Sequence, residues 1–463
     1  MHKHDVVVVG AGSGGLAAAH MAKFRGASVC IIEDGPIGGD CTWTGCVPSK
    51  ALLAAAARGE TFDEAMSSVS AAVVEVGGAE TADVLRSHGF SVVEARGTLI
   101  GNGRVDVGDA VVVGRHLVVA PGSRPAIPPI SGLEGVPYLT NEDVWNLASL
   151  PKSLTIIGGG PIGCEMAQAF ASLGAEVTVI EGEDRLLIRD DADASTVARR
   201  TLTEAGVVVM TGAFVEEATR RDACIAVKVG GSVVESEALL VATGRAPAHD
   251  SMGLEEVGVS MTAAGWIDVD AQMRTTAKNV WAVGDAVGST QFTHAAAHMA
   301  RVAIDNALGI GIAKLRKLRF DPAEIPWVTF MTPEVAQIGA TEAEAVGIKG
   351  ARVAELPYSA IDRAVAARRP EGFIKLIAVP RPIVGFAGGG RLIGATIVGG
   401  GAGELISEVA LAIRTKVFAG RLAQTVHPYP SWSFGLAMTA GQFLGTVDGR
   451  TSRAPGSERG ASL

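Results

Sequence analysis

One pattern occurs twice in this chain of 463 residues and constrains its fold more than any other feature. The first copy, DVVVVGAGSGGLAAAHMAKFRGASVCIIED, starts at Asp5, and the second, SLTIIGGGPIGCEMAQAFASLGAEVTVIEG, starts at Ser153. Each copy has an unbroken apolar strand, a GxGxxG turn, an Ala-rich helix, a second strand and an acid, in that order. This order predicts an α/β fold with two Rossmann-like units.

The glycines and the acid of each copy indicate a dinucleotide site. The glycines permit a tight turn, bring the backbone close to a pyrophosphate and let the helix pack on the strand. The helix start offers free N–H groups to phosphate, and the acid accepts hydrogen bonds from a ribose. Two such sites in one chain indicate that one cofactor passes electrons to another. The residues in these roles are Gly10, Gly12, Gly15 and Glu33, and then Gly158, Gly160, Gly163 and Glu181.

Composition narrows the class of partner. The formal net charge is −9 and the pI is near 5.6, which gives no basic stripe for nucleic acid or anionic membrane. Every apolar run ends well before the roughly 18 residues that a membrane-spanning helix requires. The start of the chain leads almost directly into a strand pattern, without a signal peptide. We therefore expect a soluble, cytoplasmic protein that acts on a small molecule.

Two of the five cysteines stand close together, in the stretch GGDCTWTGCVPSKALLAAAA. Pro48 suits the first turn of a helix, so Cys46 is expected near a helix N-terminus, where the helix dipole and Lys50 favour a thiolate. An odd, sparse set of cysteines also argues against a disulfide scaffold. Cys41 and Cys46 are therefore expected to be catalytic or metal-binding rather than structural. Small core residues are expected at Cys30, Cys164 and Cys224.

Further segments indicate how the chain continues. VVAPGSRP (118–125) and LVATGRAP (240–247) are interpreted as strand-to-glycine returns beside the two dinucleotides. Asp285 ends a strand in VWAVGDA, where an acid can bind a polyol or cap the helix that starts near Phe292. From about Ile325 the pattern changes to strands and an amphipathic helix, which predicts a third, α+β domain. The polar tail after residue 448 is predicted to be disordered.

Taken together, these segments resemble the class I pyridine nucleotide–disulfide oxidoreductases, the family of dihydrolipoamide dehydrogenase, glutathione reductase and mercuric reductase. The resemblance rests on the first glycine motif with Glu33, on GGDCTWTGCVPSK, GGGPIGCE, ATGRAP and VWAVGDA, and on the region from TPEVAQIGATEAEA to GAGELISEVALAI. It implies an FAD domain (1–150 and 276–324), an NAD domain (151–275) and a dimerisation domain (325–448), followed by the tail (449–463). It also implies a homodimer whose active site the partner subunit completes.

The resemblance assigns roles to individual residues. The counterpart of Cys46 lies against the flavin as a thiolate, and the counterpart of Cys41 attacks the second substrate. Lys50 is expected to contact the flavin and to pair with Glu165. Electrons would pass from NADH to FAD, to the Cys41–Cys46 disulfide and then to an acceptor, and no metal site is expected. The cofactor-binding set is completed by Asp40, Lys50, Gly97, Gly122, Gly244, Asp285 and Ala295.

Charge near the second dinucleotide predicts the nicotinamide cofactor. Glu181 would lie beside the adenosine ribose and is followed by Glu183 and Asp184, whereas Arg185 comes only afterwards. A 2′-phosphate would meet like charge there, and family members that use NADP carry arginines in this region. We therefore predict NADH. Pro161 stands where several relatives carry a gating aromatic residue, which predicts a more open nicotinamide pocket.

The C-terminal region departs from the family pattern. In disulfide reductases of the family the partner subunit supplies a His-Pro whose imidazole deprotonates a thiol, and a glutamate orients the ring. Here the segment reads HPYPSWSF, so either His427 or Tyr429 can occupy the base position. Counting from GAGE favours Tyr429 and places Phe434 at the glutamate position. Tyrosine, with a pKa near 10, is a poor base at neutral pH.

Three functions follow as alternatives. The first is an NADH oxidoreductase with a redox-active Cys41–Cys46 disulfide and an acceptor such as a quinone, a metal ion or an unusual sulfur compound. The second is dihydrolipoamide dehydrogenase chemistry with His427 as the base. The third is a flavoprotein module that senses redox state. No cysteine follows Cys224, so the C-terminal thiol pair of mercuric reductases has no counterpart and efficient mercury handling is not expected.

Overall fold

The structure is a computed structural model that describes residues 2–309 and 317–457. Its first part alternates strands and helices, with several short helices after the second strand. In chain order these are β1 (His2–Val9), α1 (Ser13–Phe24), β2 (Val29–Glu33), α2 (Gly39–Trp43), α3 (Cys46–Ala57), α4 (Phe62–Gly78), α5 (Ala82–Ser87), β3 (Ser91–Glu94), β4 (Thr98–Gly101), β5 (Arg104–Asp106), β6 (Val111–Val119) and β7 (Ser123–Pro125).

The first sheet has the strand order β3-β2-β1-β6-β5-β4, and β1 is parallel to both of its neighbours. The valines at positions 6–9 are 0–4% exposed, as expected for a central parallel strand covered on both faces. The turn after β1 needs glycine at Gly10, where φ is +102° and a Cβ atom would lie 2.2 Å from the carbonyl oxygen of Ala120. The first predicted unit is therefore confirmed.

The second copy of the pattern builds a separate parallel sheet with the order β11-β10-β9-β15-β8. Gly158 repeats the geometry of Gly10, with φ +112° and a Cβ position 2.3 Å from the carbonyl oxygen of Ala242. A three-stranded antiparallel sheet, β12-β13-β14, lies beside it. This part contains β8 (Tyr138–Leu139), β9 (Ser153–Ile157), α6 (Pro161–Ser172), β10 (Glu176–Ile180), α7 (Ala192–Glu204), β11 (Val208–Met210), β12 (Val215–Arg221), β13 (Cys224–Val229), β14 (Ser232–Ser236), β15 (Ala238–Val241) and β16 (Arg245–Pro247).

After the second sheet the chain returns to the first. Strand β17 (Val280–Ala282) pairs in parallel with β6, and helix α8 (Thr293–Leu308) packs against α1. Helix α8 begins directly after Phe292, as predicted. This return agrees with a first domain that is split in sequence, while the domain limits themselves remain predictions.

The last part is an antiparallel sheet with the order β18-β19-β22-β21-β20. The predicted strand followed by an amphipathic helix is present as β22 and α11, and α11 packs on β22 and β19. The elements are β18 (Trp327–Thr329), β19 (Glu334–Gly339), α9 (Glu342–Ala345), β20 (Arg352–Pro357), α10 (Asp362–Ala366), β21 (Phe373–Val379), β22 (Arg391–Gly399), α11 (Ala402–Thr415), α12 (Ala419–Gln424) and α13 (Phe434–Gly441).

All residues of strand β21 are buried, as in a strand that is covered on both faces. At its centre Lys375 is 1% exposed, and its Nζ lies 2.8 Å from Asp191 Oδ1, 2.5 Å from Asp193 Oδ2 and 2.9 Å from Glu342 Oε2. Asp191 and Asp193 stand at the start of α7. The buried lysine therefore joins the second unit to the antiparallel sheet.

Part of the tail is ordered, which differs from the disorder predicted for residues 449–463. Arg453 forms a β-bridge with Val353, and its Nη2 lies 2.9 Å from Glu342 Oε2 and 3.5 Å from Glu355 Oε2. These contacts attach residues 449–457 to the antiparallel sheet, and residues 458–463 lie outside the described part. Among the described helices, none is long and apolar enough to cross a membrane.

Candidate active site

A cavity of about 1710 Å³ runs between the first and second sheets and reaches the antiparallel sheet. It is lined by both glycine turns and by residues from each of the three parts of the chain. Most of the predicted site residues contribute to its wall: Gly10, Gly12, Glu33, Asp40, Cys41, Cys46, Lys50, Gly97, Gly122, Gly158, Gly160, Glu165, Glu181, Gly244 and Asp285.

Three predicted cofactor-binding residues do not line this cavity. Ala295 is 0% exposed and packs in the core, whereas its neighbour Ala296 forms part of the wall. Gly15 and Gly163 lie against their own turns, where a Cβ atom would be 1.9 Å from the carbonyl oxygen of Gly10 or Gly158. Both glycines therefore serve helix-on-strand packing, whereas cofactor contact by Ala295 stays a prediction.

The end of the cavity at β1 and β2 fits a flavin dinucleotide. Glu33 accepts hydrogen bonds from the backbone N–H of Ala11 (2.5 Å) and of Gly35 (2.8 Å), which hold its carboxylate beside the glycine turn. At Gly12 the nearest atom to a Cβ would be Gly39 Cα at 3.9 Å, so the backbone is open to the cleft. This wall can accept a pyrophosphate at the helix start and a ribose at the carboxylate.

A polar network that the sequence did not reveal closes the middle of the cavity. Arg245, from the ATGRAP segment, forms an ion pair with Asp40 and donates from Nε to Ser123 Oγ at 2.8 Å. Ser123 Oγ in turn donates to Asp285 Oδ2 at 2.7 Å, and burial raises the pKa of Asp285. Arg245 also donates to Asn141 Oδ1 at 3.1 Å. The network ties the return strand of the second unit to the first.

The two cysteines lie on adjacent short elements, Cys41 in α2 and Cys46 as the first residue of α3. The Cys46 Sγ lies 3.6 Å from Thr293 Oγ1, at the start of α8. A hydrogen bond from the Cys41 thiol, aided by Thr293 and by the cation of Lys50, lowers the pKa of Cys46 to about 6 against the opposing effect of burial. The same hydrogen bond and burial raise the pKa of Cys41. The pair can therefore carry one thiolate, on Cys46.

Two tryptophans brace the dithiol loop, which we define as residues 41–46. Trp43 lies between the cysteines and donates from Nε1 to the carbonyl of Ile37 at 2.7 Å. Trp145 donates from Nε1 to the carbonyl of Thr44 at 3.0 Å. Both rings line the cavity. Their positions in the sequence carried no signal of this role, because the contacts depend on how α4 and the second unit pack around the loop.

Lys50 and Glu165 meet as the resemblance implied. The Lys50 Nζ lies 2.9 Å from Glu165 Oε2, and the Glu165 side chain is only 4% exposed. Glu165 Oε1 accepts the backbone N–H of Phe330 at 2.8 Å, and the Phe330 ring centroid lies 4.6 Å from Lys50 Nζ. A buried carboxylate therefore holds the ammonium group at the wall of the cavity, close to the dithiol loop.

At the other end of the cavity, Glu181 follows β10 and is held by the backbone. Its Oε2 accepts the N–H of Gly159 at 2.5 Å, and its Oε1 accepts the N–H of Glu183 at 2.8 Å. Arg185 does not point toward Glu181, since its guanidinium donates to the carbonyls of Leu187 and Ile188 and to Ser195 Oγ. The Glu181 carboxylate next to the glycine turn is therefore not paired with Arg185.

His427 and Tyr429 are not part of the cavity wall of their own chain. The ring of His427 lies between the carbonyl of Thr425, 2.8 Å from Nδ1, and Glu408 Oε1, 3.0 Å from Nε2. Tyr429 is 67% exposed and donates to Asp362 Oδ2 at 2.6 Å. A single chain therefore does not bring either candidate base to the dithiol loop.

Comparison with known proteins agrees with this geometry. Residues 4–300 match the family described as pyridine nucleotide-disulphide oxidoreductase, and residues 325–438 match its dimerisation domain. The chain is 32% identical to a mercuric reductase of Bacillus cereus, over 94% of this chain and 71% of that protein. It is 33% identical to a dihydrolipoyl dehydrogenase of Chlamydia muridarum, over 92% of this chain and 94% of that protein.

Solved structures give the same result. The Cu(II) complex of the HOCl-induced flavoprotein disulfide reductase RclA from Escherichia coli superposes with a TM-score of 0.85 at 29% identity, over 95% of this chain and 99% of that one. LpdA from Mycobacterium tuberculosis superposes with a TM-score of 0.84 at 28% identity, with the same coverage. The chain therefore belongs to the pyridine nucleotide-disulphide oxidoreductase family, as an FAD- and NAD(P)H-dependent flavin disulfide oxidoreductase with a dimerisation domain.

Proposed function

We propose that this enzyme oxidises NADH and passes the electrons through Cys41 and Cys46 to an acceptor other than a common dithiol substrate. The observation that carries the proposal is the state of the two candidate bases. Both ring nitrogens of His427 already face acceptors of its own chain, and its side chain is 4% exposed. Exposed Tyr429 is the group that is available to a neighbouring subunit.

Tyr429 is a poor substitute for a histidine base. Its hydrogen bond to Asp362 raises the pKa of the phenol further above its ordinary value, so the hydroxyl stays protonated at neutral pH. Phe434 lies edge-on to the Tyr429 ring, with centroids 5.8 Å apart, where the family pattern has a glutamate. A thiol substrate would therefore find a hydrogen-bond donor and an apolar wall rather than a proton acceptor.

The residues of this chain have separate tasks in the proposed reaction. When bound, FAD supplies the two-electron link between the nicotinamide and the disulfide. Glu165 orients the cation of Lys50, and this cation, the Cys41 hydrogen bond and Thr293 stabilise the thiolate that disulfide reduction leaves on Cys46. Cys41, which keeps its proton, faces the acceptor.

Charge supports NADH as the donor. The carboxylates of Glu181 and Glu183 flank the proposed ribose site, and the Arg185 guanidinium donates hydrogen bonds to carbonyls of its own loop. A 2′-phosphate would be repelled at this position. The odd, sparse set of five cysteines also supports a cytoplasmic protein.

Three classes of acceptor fit the site: a quinone, a metal ion or an unusual sulfur compound. Relatives named as mercuric reductases, and RclA solved as a Cu(II) complex, support the metal ion. Thiolate and thiol groups are ligands that such ions prefer. Relatives named as dihydrolipoyl dehydrogenases support the second alternative, a dithiol reaction with His427 as the base.

The test is steady-state NADH oxidation by the FAD-loaded enzyme with lipoamide, glutathione disulfide, a benzoquinone, Cu(II) and Hg(II). We expect a quinone or a metal ion to exceed lipoamide in kcat/KM by about 100-fold or more, because a general base normally contributes about 10²–10⁴-fold. Cys41→Ser is the control for passage through the dithiol. High lipoamide turnover that His427→Ala abolishes and Tyr429→Phe leaves intact would establish the alternative, and the absence of turnover with every acceptor would support a redox-sensing module.

A further inference from the structure

One large aromatic side chain at the nucleotide end of the cavity has no role in the chemistry described above. Phe214 is 73% exposed and lines the cavity on the loop that follows β11. A single exposed ring is common on protein surfaces. Phe214 differs because its loop is attached to the loop that carries Glu181: Ala213 N–H donates to the carbonyl of Glu181 at 3.0 Å, and Gly212 N–H donates to that of Glu183 at 2.6 Å.

The ring of Phe214 is held against the backbone of Gly182. A Cβ atom on Gly182 would lie 2.7 Å, 3.1 Å and 3.2 Å from three atoms of the ring, so a side chain at this position would displace the ring. Gly182 does not have a positive φ, so the contact with Phe214, rather than the backbone conformation, is what a larger residue would disturb here. The ring therefore lies against Gly182, next to the two carboxylates.

The position of the ring relative to the dinucleotide follows from sheet order. The glycine turn after β9 receives the pyrophosphate, and Glu181 after β10 receives the adenosine ribose. Strand β11 is the next neighbour of β10 in the sheet, and Phe214 stands in the loop beyond its carboxyl end. The adenine that is attached to this ribose would therefore lie next to Phe214.

We propose that Phe214 is the platform on which the adenine ring of the nicotinamide cofactor stacks, with Gly182 kept small so that the ring can lie flat against the backbone. The flat, uncharged ring of Phe214 matches the apolar face of a purine. Stacking of a base on an aromatic side chain requires only this face. The platform rests on the proposed use of this cleft by the nicotinamide dinucleotide. It does not depend on the choice between NADH and NADPH, because both carry the same adenine.

The experiment compares Phe214→Ala with the unchanged, FAD-loaded enzyme, using NADH, ADP-ribose and reduced nicotinamide mononucleotide, which lacks adenosine. We expect Phe214→Ala to raise the KM for NADH and the Kd for ADP-ribose about tenfold, since aromatic stacking on a base is lost. The kcat with NADH and the kcat/KM with reduced nicotinamide mononucleotide should not change. Phe214→Trp should retain tight binding. Phe24→Ala, which removes another exposed phenylalanine (86%), is the matched control and should change none of these values.

Two outcomes would overturn the platform. If the KM for NADH stays the same or falls in Phe214→Ala, the ring does not support the adenine. If kcat/KM with reduced nicotinamide mononucleotide falls as much as with NADH, the effect is a general disturbance of the cleft. If the predicted preference for NADH is wrong, the result is different. NADPH would be used well, and Phe214→Ala would still weaken the binding of NADH and NADPH equally.

Discussion

Cys46 is the residue whose surroundings change its chemistry most. The hydrogen bond from Cys41 is the largest of the causes that bring its pKa to about 6. In the NADH-reduced holoenzyme we expect a long-wavelength absorption from the thiolate beside the flavin, present above about pH 6 and lost as the pH falls through that value. Cys41→Ala removes the hydrogen bond and leaves Cys46 as a free thiol beside oxidised flavin without any reductant, so in the oxidised variant this titration should lie at higher pH. Cys46→Ser should never show the band. An identical titration in wild type and Cys41→Ala would contradict the assignment.

Glu181 is expected to determine which nicotinamide cofactor the enzyme prefers. We expect kcat/KM for NADH to exceed that for NADPH by about tenfold or more, because a partly buried phosphate would meet a carboxylate that two backbone N–H groups hold in place. Glu181→Arg should narrow the ratio. Glu204→Arg makes the same charge change at the exposed end of α7 and should leave the ratio as it is. Equal use of both cofactors by the wild type would be incompatible with this role.

At the scale of elements, the two acids before α7 are used differently. Asp191 accepts the N–H of Asp193 at the helix start and pairs with Lys375. Asp190 is 2% exposed and accepts a hydrogen bond from Trp327 Nε1 at 3.0 Å. Burial raises the pKa of Asp190 from its ordinary value of 3.8 to about 7, which the Trp327 hydrogen bond only partly opposes. Between the ordinary pKa and about pH 7, the folded chain therefore holds a proton on Asp190 that the unfolded chain releases.

This proton makes stability depend on pH. Because the folded-state pKa is raised, stability falls as pH rises from the unfolded value through about 7. Asp190→Asn keeps the acceptor for Trp327 but cannot ionise, so its free energy of unfolding should exceed that of the wild type by a few kcal/mol at about pH 8 and match it only at about pH 3, below both pKa values. Thermal unfolding of both proteins across this range measures the difference. Asp109→Asn, on an exposed loop, is the control, and a difference that does not vary with pH would refute the prediction.

At the scale of the whole molecule, the segment HPYPSWSF (427–434) is proposed to cover the dithiol loop of a partner subunit. Tyr429 and Phe434 would then form a wall without a base. We expect Tyr429→His together with Phe434→Glu to raise lipoamide turnover about tenfold or more, toward the contribution of a general base. Tyr429→Phe should have little effect on that reaction. No gain from the double variant, with folding and FAD content unchanged, would place the base elsewhere.

A shared site also makes activity depend on assembly. If neither subunit alone has a complete site, turnover per bound FAD should fall when the enzyme is diluted into the range where dimers dissociate. Sedimentation or mass photometry measures dissociation alongside the rate. Activity that stays constant while the dimer dissociates would show that one chain suffices.

The sequence by itself determined the local units of this protein. Strand, glycine turn, helix and acid depend on residues near each other in the chain, so both Rossmann units, the helix that begins at Cys46 and the β22–α11 pair were predictable. The same holds for the packing role of the third glycine in each turn. These features rest on backbone geometry and hydrophobic patterning, which are properties of short segments.

Tertiary structure decided the contacts between distant segments. Arg245 forms an ion pair with Asp40, which lies 205 positions away in the sequence. Lys375 forms ion pairs with Asp191 and Asp193 of another unit. Sheet order and packing determine these contacts, because they set which strand ends lie next to each other. One position along α8 separates Ala296 at the cavity from buried Ala295, a difference that helix rotation makes and composition does not show. The raised pKa of Asp190 and the contact of Phe214 with Gly182 also depend on tertiary structure, since both require neighbours from other segments of the chain.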